Sequence, residues 1–264
     1  MGGTLEPKIP KLDLSIETWH NRYQVQAGWT QTLRNYLLSK VNCMVGERVL
    51  DVGCGTGVLF EDFEARGLQA WGVDWDVERC QYALPLNREG LVFCGNGAEL
   101  PIEKDSFDLS VCHYVLMWQR EPLALLQEMK RVTKPGKYVI AFAEPDYQAR
   151  IDYPEIFERI GQVQNRSLAF QGADLTMGRK MKKLFLEAGL QDIHGGSLAG
   201  VWGKPTAHEF ENEWDIIAYD LGGLMPVDEI LELKQEAMQT WLEGKATVYI
   251  PTLYAYGKVP EESA

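Results

Sequence analysis

Three glycines in five residues, Gly53, Gly55 and Gly57, follow the apolar run Arg48-Val49-Leu50-Asp51-Val52. Glycines at the end of a strand let backbone approach a ligand closely and take up positive φ. In an open α/β sheet such a bend lies beyond the carboxyl ends of the strands, where ligands sit. A dinucleotide fingerprint G-x-G-x-x-G needs its third glycine where this chain has Val58, and no P-loop lysine follows. The bend, with Asp51 leading into it and Cys54 and Thr56 within it, suits an adenosine ligand without pyrophosphate. Asp74 stands 17 residues after Gly57, in Gly72-Val73-Asp74-Trp75. A carboxylate there accepts hydrogen bonds from both ribose hydroxyls. Asn96-Gly97 offers an amide to the adenine edge and room for the ring. Phe107-Asp108-Leu109-Ser110-Val111-Cys112-His113 brings Cys112 and His113 to the mouth of another strand. Trp75 and Trp118 present aromatic faces to adenine or to a cation, although plain packing is the better account of Trp118.

These residues must be held by regular elements, and strand and helix patterns alternate from residue 48 to residue 142. Strands are expected at 48–52, 70–73, 91–94, 107–112 and 138–142. Helices are expected at 59–66, from Val77 to about Leu84, and from Pro122, whose missing N–H costs nothing at a helix start. The last carries the stripe Leu125, Leu126, Met129, Val132, with Lys134-Pro135-Gly136 as its stop. This alternation predicts a doubly wound, Rossmann-like α/β fold with a mostly parallel sheet and helices on both faces. A helix at 19–40 precedes it, with Tyr23, Trp29, Leu33, Tyr36 and Leu37 largely on one face. Helices at 153–167 and 177–188 and a strand near 192–201 follow. Thr206-Ala207-His208-Glu209 reads as a capping box. It opens a helix with Phe210, Trp214, Ile217 and Leu221 on one side, and a second apolar stripe runs from Ile230 to Leu242. Residues 205–244 are thus expected to form a helical cap inserted before the last strand at 246–259, where Pro251 suggests an edge or a bulge. The whole chain is read as one domain: an N-terminal helical segment 1–44, a ligand-binding core 45–145, helices and a strand at 146–204, the cap, and a last strand with its tail at 245–264. The N-terminal helix and the cap would fold over the strand ends, with Phe210, Trp214, Tyr219, Leu224 and Met225 around an apolar pocket.

Bulk properties exclude several partners. The 264 residues carry a formal net charge of −12, which disfavours nucleic acid and anionic membranes alike. The sequence has no run of about 18 apolar residues of the kind that spans a bilayer, and residues 1–10 lack the apolar centre of a signal peptide. The five cysteines, Cys43, Cys54, Cys80, Cys94 and Cys112, show no metal-site spacing and suit free thiols in a reducing cytoplasm.

The glycine bend, Asp74, Asn96-Gly97 and the Phe107–His113 segment together resemble the class I S-adenosylmethionine-dependent methyltransferases. They look most like the branch containing the ubiquinone and menaquinone C-methyltransferases, and the resemblance covers residues 45 to 145. It implies S-adenosylmethionine as cofactor. The bend would hold the methionine part, Asp74 the ribose and Asn96-Gly97 the adenine, with His113 lining the cofactor. Glu128 to Gly136 also looks like the family's helix before its fifth strand. Members often have Asp-Ala where this chain has Asn96-Gly97; asparagine keeps the hydrogen-bonding reach and drops the charge. Arg22-Tyr23 would approach the cofactor carboxylate, as residues before the first strand do in some relatives.

In-line methyl transfer to an O, N or C nucleophile of a small-molecule acceptor is the implied reaction. The sulfonium is already activated, so orientation supplies much of the effect. Where the acceptor must lose a proton, His113 is the first candidate base, ahead of His20, Glu144 and Asp146. Residues 206–243 hold ten carboxylates against one lysine, which suits a solvated face better than a site for a cationic acceptor. Two rival readings are a cofactor-binding sensor or partner subunit without methyl transfer, and a nicotinamide-dependent oxidoreductase, which Val58 disfavours.

Overall fold

The computed structural model describes residues 14–87, 90–198 and 204–261. In chain order the first elements are α1 (Ile16–Lys40), β1 (Arg48–Val52), α2 (Phe60–Glu64), β2 (Gln69–Asp74), α3 (Val77–Ala83), β3 (Val92–Cys94) and β4 (Phe107–Cys112). Next come α4 (Pro122–Val132), β5 (Thr133–Pro145), β6 (Ile151–Tyr153), α5 (Glu155–Phe170), α6 (Met177–Glu187) and β7 (Gln191–Ser197). The chain closes with α7 (Ala207–Gly222), α8 (Val227–Leu242), β8 (Thr247–Tyr249) and β9 (Thr252–Lys258). These form two compact units, one from Ser15–Asp146 with Thr176–Ala199 and the C-terminal strand, the other from Tyr147–Leu175 with Gly200–Ile250.

The first unit is built on a seven-stranded sheet of order β3-β2-β1-β4-β5-β9-β7. Strands β3 to β5 run parallel, and β9 is antiparallel to both β5 and β7. This is the expected mostly parallel α/β sheet. Val49, Leu109, Val111, Ile140 and Phe142 face one layer, where they meet Leu37 and Leu38 of α1, Phe60 and Phe63 of α2 and Ala83 of α3. On the other layer α4 and α6 pack against β4, β5 and β9 through Leu125, Leu126, Met129, Met181 and Phe185. Burial on both faces explains why the parallel strands read as near-continuous apolar runs. Phe63 is wholly buried, and truncating such a side chain to alanine costs about 3–5 kcal/mol.

The structure corrects four sequence expectations in detail. The inward face of α1 is Ala27, Thr30, Arg34, Leu37 and Leu38, whereas Trp29 and Tyr36 are exposed. The helix turns a polar network inward, and the Arg22 guanidinium covers Trp29 from outside at 4.9 Å. The fifth strand begins at Thr133 rather than Tyr138, because Thr133 already pairs with Phe107 and its hydroxyl bonds Ser110 and the Met129 carbonyl. The segment 246–259 is two strands: β8 pairs with β6 in a separate sheet, while β9 lies inside the main sheet. Pro251 sits between them, its carbonyl accepting from the Asp146 N–H. The expected extension of β7 to Val201 lies outside the described residues.

The fourth correction concerns the second unit, in which α5, α7 and α8 surround one core. The Thr206 hydroxyl accepts from Glu209 N–H and the Glu209 carboxylate accepts from Thr206 N–H, completing the capping box. Phe210 and Trp214 stack at 5.4 Å and are buried in that core with Leu221, Ile230 and Leu233, Leu224 and Met225 packing beside them. The apolar face of α7 therefore serves the unit's own core through these residues rather than lining a pocket. Among the described residues no helix is long and apolar enough to cross a membrane.

Candidate functional site

The chain leaves β1 in a bend whose glycines all have positive φ: +75° at Gly53, +53° at Gly55 and +79° at Gly57. A side chain at Gly53 would also collide with Val115, since a Cβ there lies 2.5 Å from a valine methyl. The amides of Gly53 and Cys54 both donate to the Val73 carbonyl, at 2.7 and 3.0 Å, which ties the bend to the end of β2. Asp74 ends that strand. Its Oδ2 accepts from the Gly55 N–H at 2.8 Å and its Oδ1 from the Asp76 N–H at 3.0 Å. Each carboxylate oxygen keeps accepting capacity beyond these single bonds. Asp76 in turn caps α3 through the amides of Glu78 and Arg79.

Helix α1 closes the bend from above. His20 Nδ1 bonds the hydroxyl of the buried Thr56 at 2.9 Å, and the Tyr23 ring lies 3.3 Å from where a Gly55 Cβ would stand. Tyr23 also stacks on Trp19, with the Arg79 guanidinium 5.6 Å from its ring centre. Asp51, one residue before the end of β1, is 2% exposed and its Oδ1 has no hydrogen-bond partner. Burial, reinforced by the Asp74 charge and opposed by Arg34, pushes its carboxyl up to about 7. Two carboxylates thus share the buried strand ends, a setting that a cationic ligand would relieve.

At the mouth of β4, His113 Nε2 bonds the Thr30 hydroxyl at 2.9 Å. That hydroxyl also accepts from Arg34, which is 2% exposed, donates to the Ala27 carbonyl at 2.6 Å and pairs with Asp62. Burial and the neighbouring guanidinium push the His113 imidazole down to about 3, so the ring is neutral at physiological pH. Glu144 is wholly buried. It accepts from the amides of Val115, Leu116 and Met117 at 2.8, 2.7 and 3.1 Å, which occupies both its oxygens with the turn beyond His113. Asp146 is paired with Arg179. Burial raises the thiols of Cys54 and Cys112 well above their usual value, which leaves them protonated and poor nucleophiles.

Asn96 is exposed, and its side-chain oxygen accepts from the Ala98 N–H at 3.0 Å. At Gly97 a Cβ would lie 2.9 Å from Val52 and 3.1 Å from Leu125, so its small size lets the chain pass close to β1 and α4. Trp75 is 74% exposed and Trp118 43%, so neither is a core residue, against the packing favoured for Trp118. The structure brings Tyr23, Asp51, the bend and Asp74 together at the ends of β1 and β2. Sequence reasoning missed Thr30, Arg34 and Asp62. The signal was present, since Thr30 and Arg34 fall at helical spacing with Ala27, Leu37 and Leu38, the pattern of a polar pair on a buried face.

Residues 50–141 match the family described as Methyltransferase domain. An uncharacterized methyltransferase of Schizosaccharomyces pombe is 31% identical over 189 residues, 65% of this chain and 66% of that protein. The demethylmenaquinone methyltransferase of Renibacterium salmoninarum is 31% identical over 162 residues, 60% of this chain and 66% of that one. The chain therefore spans just under two thirds of the length of these curated relatives. Among solved structures, phosphoethanolamine N-methyltransferase 2 of Haemonchus contortus, in complex with S-adenosyl-L-methionine, shares the fold at 14% identity. Its TM-score is 0.56, over 96% of this chain and 61% of that one.

Proposed function

We propose that this chain, whose residues 50–141 match the family described as Methyltransferase domain, is a class I S-adenosylmethionine-dependent methyltransferase that methylates an O, N or C nucleophile of a small molecule. The observation that carries this reading is the Asp74 carboxylate, anchored to the Gly55 amide at the open end of β2. A bare-backbone bend and a fixed carboxylate fit a nucleoside whose phosphates are absent and whose diol needs acceptors. The orphaned Oδ1 of Asp51 fits a ligand that brings positive charge.

When bound, S-adenosylmethionine supplies a methyl group already activated on a sulfonium. The chain's own residues then bind and orient. Asp74 takes the ribose hydroxyls, the 53–57 bend with Cys54 and Thr56 takes the methionine portion, and Tyr23 covers it. Asn96, Gly97 and the exposed face of Trp75 take the adenine, while Cys112 and His113 line the cofactor. His113 is a positioning residue in this account, because a neutral imidazole with so little proton affinity is a weak base at physiological pH. Orientation of the acceptor supplies the larger part of the acceleration.

A relative named for demethylmenaquinone supports a small-molecule acceptor, and the net charge of −12 speaks against a nucleic acid. The five free thiols suit the cytoplasm. Incubating the protein with S-adenosylmethionine and a metabolite panel, read by mass spectrometry, tests the proposal. It predicts a product heavier by one methylene, formed in equal amount with S-adenosylhomocysteine. Cofactor binding without any methylated product across quinones, phenols, amines and carbon acids would instead favour a sensor.

A further inference from the structure

The unit formed by Tyr147–Leu175 and Gly200–Ile250 carries a polar pocket of about 410 Å³ between the short 3-10 turn Tyr147–Ala149, β6 and α5, lined in part by Arg150, Asp152, Glu158, Gln162 and Asn165. This volume is within the range of small-ligand sites. The Asp152 side chain is only 6% exposed, and its Oδ2 lies 2.5 Å from the Arg150 Nε. Its Oδ1 is buried with no hydrogen-bond partner. Arg150 is committed elsewhere as well, since its Nη1 donates to Gln164 Oε1 at 3.0 Å, Asn165 Oδ1 at 3.2 Å and the Gly161 carbonyl at 3.3 Å. Its Nε, beside Asp152, is itself buried without a hydrogen bond, and the lining holds one guanidinium against two carboxylates, Asp152 and Glu158. Burial raises the Asp152 carboxyl against the pull of Arg150, and Glu158 raises it further. A buried acceptor left unmade is costly.

We propose that this pocket is a binding site for a small protonated amine, whose ammonium N–H bonds the carboxylate of Asp152 and whose charge is balanced by Glu158. A cation lacking N–H would meet the charge but not the orphaned acceptor, and a neutral alcohol would meet the acceptor but not the charge. The lining residues all belong to the unit formed by Tyr147–Leu175 and Gly200–Ile250, and nothing in their chemistry requires the amine to be methylated.

The test is a titration of the isotope-labelled full-length protein with ethanolamine, followed by amide NMR, with ethylene glycol and tetramethylammonium as controls. Saturable shifts at residues 150–152 and 158–165 in the millimolar range, at least about tenfold weaker or absent with both controls, are expected. Asp152→Asn should weaken ethanolamine binding about tenfold. Should that variant fold poorly, Glu158→Gln, at an exposed position, decides the matter by weakening binding severalfold with an unchanged spectrum elsewhere. Shifts centred on residues 51–57 and 74, equal binding of ethylene glycol, no saturation, or unchanged affinity in Glu158→Gln would each overturn the proposal. None of these outcomes bears on S-adenosylhomocysteine binding, so the two readings fail separately.

Discussion

The Oδ2 of Asp74 accepts the Gly55 amide at 2.8 Å, so the acid that ends β2 and the middle glycine of the bend after β1 form one rigid corner. Parallel pairing of Val52 with Val73 sets the two strand ends level, and the carboxylate bridges the gap. A corner braced by its own hydrogen bonds has less to order when a ligand binds, which lowers the cost of binding. Asp74→Ala removes both the proposed ribose acceptor and the brace on Gly55. Hydrogen bonds to a charged group are worth about 1.5–3 kcal/mol each, so S-adenosylhomocysteine should bind at least about tenfold more weakly by calorimetry.

Close approach at Gly53 gives a second prediction. Gly53→Ala forces a side chain into positive φ and onto Val115, and should cost about 2 kcal/mol or more in urea unfolding. Adding Val115→Ala should return about 1 kcal/mol of that loss. Strict additivity of the two substitutions would mean that the contact is not the cause.

Proton release on binding tests the crowded carboxylates. The Asp51 carboxyl, raised to about 7 by burial and Asp74, falls when a cation settles beside it. Binding of S-adenosylmethionine at pH 7 should then release up to about half a proton. Calorimetry in two buffers of different ionisation enthalpy measures this directly. Asp51→Asn should abolish the buffer dependence.

His113 supplies the opposite sign. Its folded pKa is depressed to about 3, so its contribution to stability is complete above the unfolded value near 6.5. It is lost as pH falls from there toward 3, because the unfolded chain takes up the proton first. His113→Gln should reduce that acid sensitivity. It should lower methyl transfer by much less than the hundredfold or so of a lost general base, and remove no limb from the pH–rate profile between about pH 5 and 8.

In the second unit, Thr206→Ala should cost about 1 kcal/mol in chemical unfolding by removing half of a reciprocal cap, while Thr206→Ser stays close to the parent.

Local signals made the corner between the glycine bend and Asp74 legible. Strand β1, the glycine bend, strand β4 and the Thr206 cap are each specified by neighbours within a few residues, and each stands where the sequence placed it. Asp74 was legible because its distance from the bend reflects a single strand–helix–strand step. Pairing of β6 with β8 joins Asp152 to Val248 across most of a hundred residues, and three-residue strands carry no periodicity to announce it. The inward face of α1 was misread for a related reason. Apolar weight favoured Trp29 and Tyr36, whereas Arg34 is buried only because Asp62, on a different helix, neutralises it. Phe210 and Trp214 looked like pocket lining until α5 supplied the rest of their core.

Calorimetric titration of the wild-type protein with S-adenosylhomocysteine, and separately with NAD, puts the account to its most direct trial. A single saturable site for S-adenosylhomocysteine and no heat from NAD is the predicted result. Binding of NAD with no response to S-adenosylhomocysteine would contradict it.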